Sequence, residues 1–220
     1  LDACFKSLAL YQEINHKDGI ANINGKIGII YQYEEKYDKA IAYESLASKQ
    51  YDALGDNVLA ADPIENIAIV HWRRKNYDSS LYYHKKALTI DSLNKMDYQV
   101  AMIRMNIALV YVDQGNYQMA LESDLNALDL FKRLSKKLSM GICYTNIGDI
   151  YSKMALGVDK ENGKSAGGSR VLFLRKSALY LDSAIVIQSA IQDDYGLMSA
   201  CKNRAEVMAL LGNYKEAYEN

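Results

Sequence analysis

The chain has 220 residues, of which 50% are hydrophobic and 24% are charged, and its 26 basic and 27 acidic residues leave a net charge of −1. The balanced charge gives no global field that would attract nucleic acid or an anionic membrane. No hydrophobic run approaches the roughly 18 residues that a membrane-spanning helix needs. The three cysteines, Cys4, Cys143 and Cys201, are too few and too scattered for a metal site or a disulfide framework, and are predicted to be small buried hydrophobic residues.

One sequence motif is repeated along the chain. It reads KIGIIYQYEEKYDKA at 26–40, NIAIVHWRRKNYDSS at 66–80 and NIALVYVDQGNYQMA at 106–120, and it begins again as NIGDIY at 146–151. Its isoleucine recurs every 40 residues, at Ile27, Ile67, Ile107 and Ile147. Periodicity of this length indicates an array of equivalent structural units.

Each unit is predicted to contain two helices. Residues 102–112 carry apolar side chains too densely for one narrow stripe, which is typical of a helix that packs on both sides. Gly115 and Asn116 supply a turn, because glycine readily adopts the left-handed conformation that ends helices. A second helix follows from about Tyr117, with apolar residues at three- and four-residue spacing. Since β-strand alternation is nowhere sustained, the fold class is predicted to be all-α, built from antiparallel helix pairs.

The repeat predicts one continuous array over residues 1–220. Residues 1–17 match the second helix of a preceding unit, and units follow at about 18–57, 58–97, 98–137, 138–194 and 195–220, the last of them incomplete. Terminal units of such arrays normally carry polar caps, which are missing here. The chain is therefore expected to be part of a longer protein.

These residues resemble the tetratricopeptide repeat. Its signature places Leu-Gly, then Tyr three residues after that Gly, then Ala on the second helix, and the first unit matches it with Ile27-Gly28, Tyr31 and Ala40. The period of 40 exceeds the usual 34 residues. This longer form resembles repeats of bacterial peptide-responsive regulators and of the sensor regions of bacterial signalling proteins. The resemblance implies a right-handed α-solenoid in which the first helix of each unit lines a concave groove.

The sequence departs from that pattern in the second helix of each unit. The aromatic residue expected there is replaced by Glu44, His84 and Asp124. The fourth unit is also longer, because Asn203 lies 57 residues after Asn146 instead of 40. The extra residues fall at about 155–170, where four glycines and little apolar mass predict a mobile surface loop.

No catalytic, cofactor or metal site is predicted. The stretch GVDKENGKS at 157–165 has five residues between its glycines, whereas a phosphate-binding loop needs four. His71 and His84 lack a third ligand at metal-binding spacing, so they are interpreted as core or groove residues. Asp62-Pro63-Ile64-Glu65 has the form of a helix-capping box and is interpreted as structural.

A column of asparagines directly precedes the isoleucines. The candidate peptide-binding residues are Asn66, Asn106, Asn146 and Asn203, with Lys26 in the same place in the first unit. The resemblance places this column on the concave surface, where each carboxamide offers a donor and an acceptor to a peptide backbone. In the alternative interpretation, each asparagine bonds a helix of the neighbouring unit. Packing between repeats and recognition of a peptide would both place an asparagine at this position in every repeat, so the sequence does not separate the two interpretations.

The functional expectation is a non-catalytic module that binds a protein or an extended peptide, with no nucleic acid, no cofactor and no membrane contact within this chain. Two contexts are open. One is the sensor or interaction region of a larger bacterial signalling protein, of histidine-kinase or transcriptional-regulator type, which would be periplasmic if it is a sensor. The other is a soluble adaptor or peptide-responsive regulator in the cytoplasm. Regulatory repeats of an enzyme whose catalytic domain lies elsewhere are a third possibility.

Overall fold

The computed structural model describes residues 1–161 and 167–212, and within these ranges all regular structure is α-helical. The helices are α1 (Asp2–Glu13), α2 (Lys17–Tyr33), α3 (Tyr37–Ala53), α4 (Ala61–Arg73), α5 (Tyr77–Leu93), α6 (Asp97–Asp113), α7 (Tyr117–Arg133), α8 (Lys137–Glu161), α9 (Gly167–Ala190) and α10 (Asp194–Leu210). Their order confirms the predicted all-α solenoid of helix pairs. None of the helices in the described ranges combines the length and the hydrophobicity that crossing a bilayer requires.

The chain divides into two compact units, one ending at Asn106 and the other beginning at Ile107, inside α6. In the first unit each helix from α1 to α5 packs on the next, and α2 also contacts α4. Its core joins Ile27, Tyr31, Ala40 and Val70. In the second unit α7 packs on α8, α8 on α9, and α10 on both α8 and α9. First helices of successive repeats therefore touch within each unit.

Left-handed residues mark every helix connection in the described ranges. Those that follow the second helix of a repeat are Asn15, Gly55, Lys95, Ser135 and Gln192. Those that follow the first helix of a repeat are Glu35, Lys75, Gly115 and Gly212. After α4, the N–H of Lys75 bonds the carbonyl of Trp72 at 2.8 Å and the N–H of Asn76 bonds that of His71 at 2.9 Å. This is the Schellman arrangement of a helix C-terminus. The predicted turn at Gly115 is confirmed, but most of the equivalent positions hold larger residues.

Replacing Lys75 by glycine should stabilise the protein by roughly 0.5–1 kcal/mol, because a side chain in the left-handed region carries a steric cost that glycine avoids. The midpoint of urea unfolding measures this. Lys86→Gly is the matched control, since Lys86 is exposed inside α5 and glycine there should cost about 1 kcal/mol. Equal effects of the two changes would contradict the expectation.

The prediction of a surface loop at 155–170 is wrong for most of these residues. Residues 155–161 end α8 and residues 167–170 begin α9, so both helices are longer than the 17 residues of α7 and α10. Ala155 is fully buried against Leu174 and Ala178. The extra sequence thus extends two paired helices, and one of its residues, Ala155, is buried between them. Residues 162–166 of the predicted loop lie outside the described ranges.

The predicted capping box is also wrong. Helix α4 begins two residues earlier than the motif implies, with Ala60 in the N-cap position and without a side-chain cap. Pro63 falls in the first turn, where its missing N–H has no helical partner to lose. Glu65 is therefore not needed as a cap, and its carboxylate turns to other residues.

Candidate functional site

The candidate site of the first unit is a cavity between α2 and α4 with α3 beneath it. Its volume is about 200 Å³. The residues around it are Ala21, Asn22, Gly25, Lys26, Ile29, Glu44, Tyr51, Leu59, Asp62, Pro63 and Asn66. Two predicted groove residues, Lys26 and Asn66, therefore lie at one cavity on facing first helices.

Asn66 connects α4 to α3 of the preceding repeat. Its side-chain Nδ2 donates to Glu44 Oε1 at 3.1 Å. The Glu44 side chain faces Gly28, since a Cβ placed on that glycine would lie 2.7 Å from Glu44 Cγ. A larger residue than glycine would collide with the carboxylate arm, so the small-residue column is what admits Glu44 here.

Glu44 is fully buried, and its second oxygen, Oε2, has no hydrogen-bond partner within residues 1–161 and 167–212. Burial raises the pKa of this carboxyl to about 8, and the nearby charge of Asp62 adds to the rise against the opposing hydrogen bond from Asn66. A carboxyl with this pKa is largely protonated at neutral pH. Glu44 therefore has both an unused hydrogen-bonding oxygen and a proton that it can lose.

Asn106 takes part in a second network. Its Nδ2 donates to Glu65 Oε1 at 2.8 Å, and Glu65 Oε2 lies 2.7 Å from Nδ1 of His84, which is only 1% exposed. Asp91 lies nearby, and burial, followed by the charges of Asp62 and Glu65, raises its pKa to about 6. The first unit thus holds a connected acidic region behind the asparagine column.

The geometry of Asn66 and Asn106 is that of the packing alternative, because each bonds a carboxylate of the preceding repeat. Each carboxamide keeps a further N–H and its carbonyl oxygen for another partner. Asn146 and Asn203 lie in the second unit, half-buried, and neither has a side-chain hydrogen bond among the described residues. These two differ from Asn66 and Asn106 in having no structural bond to lose.

Asp124 occupies the Glu44 position of the second unit. It is fully buried, and in the described part of the chain neither carboxylate oxygen has a hydrogen-bond partner. Burial raises the pKa of Asp124 well above its ordinary value and, with the charge of Asp124, raises the pKa of the Cys143 thiol. The next equivalent residue is Leu181, which packs on Gly148. The position thus holds a buried acid in one repeat and a buried apolar side chain in the next.

The two histidines have separate structural contacts. The ring of His71 stacks on Tyr83 with the centroids 5.4 Å apart, whereas His84 bonds Glu65. In the part of the chain that the structure describes, no group of three or more His, Cys, Asp or Glu residues has a metal-binding arrangement. Cys143 is buried as predicted, and Cys4 and Cys201 are partly exposed.

Sequence reasoning missed the two carboxylates that organise the first unit. Glu65 was assigned to a capping box, and Glu44 was noted only as a departure from an aromatic position. The available signal was their combination with the asparagines, since a buried acid needs a donor. The pairings span 22 and 41 residues along the chain, which no local spacing rule connects.

The comparison with protein families gives one matching model, described as Tetratricopeptide repeat, over residues 19–92 and 99–155. A comparison with curated proteins gives no significant sequence match.

Solved structures with a similar fold come from several proteins. BtubC from P. vanneervenii has 16% sequence identity and a TM-score of 0.81, with 99% of this chain and 85% of that chain covered. A signal transduction ATPase with a tetratricopeptide repeat sensor, from Pyrococcus horikoshii, has 16% identity and a TM-score of 0.74, covering 92% and 30%. A Rap protein complexed with Competence and Sporulation Factor has 17% identity and a TM-score of 0.67, covering 92% and 51%. The chain thus spans only part of the last two proteins.

Proposed function

This chain belongs to the tetratricopeptide repeat family, and on that premise we propose that it is a non-catalytic module that binds a protein segment or an extended peptide. The observation that carries the proposal is the cavity between the first helices α2 and α4, flanked by Lys26 and Asn66. Concave sites of this kind, with a few polar groups set among apolar ones, are where proteins bind ligands. The net charge of −1 favours a protein partner over nucleic acid or an anionic membrane.

The asparagine column would supply the contacts to the backbone of that partner. A carboxamide can accept from a peptide N–H and donate to a peptide carbonyl, independently of the peptide's side chains. Binding through such contacts tolerates different ligand sequences, and pockets beside the backbone then set specificity. Asn146 and Asn203 are the clearest candidates, because they lie half-exposed without a bond to another part of the described chain.

For the biological context, we propose the sensor or interaction region of a larger bacterial signalling protein. The similarity in fold to a tetratricopeptide repeat sensor and to a Rap protein supports this context. A soluble adaptor or peptide-responsive regulator, and regulatory repeats of an enzyme, are the alternatives. The sequence of the complete gene separates them, because a hydrophobic span of about 20 residues followed by a kinase domain would support a membrane-bound sensor.

The double variant Asn146→Ala/Asn203→Ala tests recognition by the column. Each lost hydrogen bond should weaken partner binding by about 0.5–1.5 kcal/mol, while the free energy of unfolding should change by less than about 0.5 kcal/mol. The measurement compares proteins captured by the wild type and by the variant from a lysate of the source organism, quantified by mass spectrometry, with urea unfolding in parallel.

Gln118→Ala is the matched control, because Gln118 is an exposed amide on α7, a second helix of its repeat. It should leave both capture and stability unchanged. If the double variant captures every partner at wild-type levels, the column is not the binding surface. If it unfolds early and still captures them, its role is packing.

A further inference from the structure

The cavity between α2 and α4 has a buried carboxyl group in its lining. Glu44 Oε2 is buried without a hydrogen-bond partner among the described residues, and Glu44 belongs to the cavity lining. The same atom would lie 3.8 Å from a Cβ placed on Gly25, another lining residue. Oε2 therefore lies beside the part of the cavity wall that Gly25 forms. Buried polar atoms of this kind are rare in folded proteins and call for a partner.

The charges around the cavity indicate what that partner is. Asp62 is the second carboxylate of the lining, and its charge acts on Glu44. A positive hydrogen-bond donor relieves both the desolvation of Glu44 and the repulsion between the two acids, whereas a neutral donor relieves only the first. We propose that this cavity binds a protonated primary amine and, resting on the function proposed above, that a lysine side chain of the bound segment supplies it.

The geometry favours an ammonium group over other cations. Glu44 Oε1 is already taken by Asn66, so one oxygen is left, which suits a compact point charge better than the bidentate fork of arginine. A metal ion would need more ligands than the two carboxyls offer. The volume of about 200 Å³ is several times the roughly 30 Å³ that a water molecule occupies, enough for an amine with part of its alkyl chain.

Amine binding should be coupled to loss of the Glu44 proton. The pKa of Glu44 is about 8, and an adjacent ammonium group stabilises the ionised form. The other charged or titratable groups of the lining are Lys26 on α2, Tyr51 on α3 and Asp62 on α4. Affinity should therefore rise between pH 6 and pH 8, by up to about tenfold per pH unit where Glu44 must lose its proton to bind.

The test uses n-butylammonium chloride as a lysine side-chain probe, titrated into the purified chain at pH 8 and followed by NMR of the backbone amides. We expect saturable shifts at Asn22, Gly25, Lys26 and Asn66, which the neutral analogue 1-butanol does not cause. Glu44→Gln keeps an acceptor for Asn66 and replaces the free oxygen by a donor, and should weaken binding by at least about tenfold. Asp124→Asn changes the equivalent buried acid of the other unit and should leave the titration unaltered.

Asp62→Asn provides a second variant at an exposed residue, so the test survives a folding defect in Glu44→Gln. It should weaken butylammonium binding, and Lys26→Gln should strengthen it by removing a competing charge. Absence of saturable shifts, equal binding of 1-butanol, or full binding by both acidic-site variants would overturn the proposal. Because the titration needs no natural partner, it can fail while partner capture still depends on Asn146 and Asn203, which keeps the two proposals separable.

Discussion

Lowering the pH from 8 to 5 should stabilise this protein. The folded-state pKa of Glu44 is about 8, whereas an unfolded glutamate has a pKa of about 4.3. Between these values the unfolded chain carries a charge at Glu44 and the folded chain holds a proton there. Folding therefore takes up a proton, and stability falls by about 1.4 kcal/mol per pH unit as the pH rises through this window.

Asp124 should act in the same direction, because burial raises its pKa well above the ordinary value. Asp91, with a folded-state pKa of about 6, adds a gain in stability that begins only as the pH falls below about 6. His71 opposes them below its unfolded pKa of about 6.5, since burial, and then the charge of Arg74, lower its folded pKa and protonation favours unfolding. The net increase in stability should thus begin near pH 8 and continue to pH 5, with Asp91 and His71 opposing each other below about pH 6.

Urea unfolding followed by circular dichroism at four pH values from 5 to 8 measures the slope. Glu44→Gln and Asp124→Asn remove the two buried titrations with little change in shape, and the double variant should show a nearly flat profile over pH 6.5–8. A wild-type midpoint that stays constant over this window, or a double variant that keeps the full slope, would show that these carboxyls are ionised in the folded protein.

Gly148→Ala is expected to destabilise the protein by about 1–3 kcal/mol. A Cβ at this position would lie 2.6 Å from Leu181 Cγ and 3.3 Å from the backbone oxygen of Ser177. Leu181 is fully buried and the Ser177 hydroxyl donates to the Gly148 carbonyl at 2.7 Å. Neither contact can relax without separating α8 from α9, so the clash outweighs the higher helix propensity of alanine.

The same substitution at Gly157 is the matched control for Gly148→Ala. Gly157 lies in the same helix, and a Cβ there would have no atom of the described residues within 4 Å. Gly157→Ala should therefore stabilise the protein by roughly 0.5–1 kcal/mol through helix propensity alone. Thermal unfolding of the two variants beside the wild type should give shifts of opposite sign. A stabilised Gly148→Ala variant would contradict the close packing of α8 on α9.

The helices were predictable because their packing repeats. Columns such as Ile27, Ile67 and Ile107 are buried for the same reason in each repeat, so one periodic constraint was visible several times. The extension of α8 and α9 was not predictable in this way. It occurs only once along the sequence, and its glycine-rich composition is typical of a loop. Likewise, the left-handed turns at Lys75 and Glu35 carry no compositional signal, since the hydrogen bonds of the helix ends impose the conformation.

The candidate site was predictable only in part. The asparagine column was visible because it repeats, but its bonds differ between repeats, from Glu44 for Asn66 to Glu65 for Asn106. Whether such a side chain faces a carboxylate or solvent depends on the residue brought opposite by the next helix. That residue is a tertiary property, and the sequence varies there among acid, histidine and leucine at Glu44, His84, Asp124 and Leu181.

The extension of α8 and α9 shows where this array can change length without losing phase. One residue added inside a packed helix rotates everything beyond it by about 100°, which would turn buried columns to solvent. Here the added residues lie at the adjoining ends of two antiparallel helices, after Gly148 and before Leu181, whose contact is kept. Residues added where two paired helices meet do not rotate the helix segments that contact the neighbouring repeats. The chain thus acquires an individual feature at one repeat, while α8 still packs on α7 before it and on α10 after it.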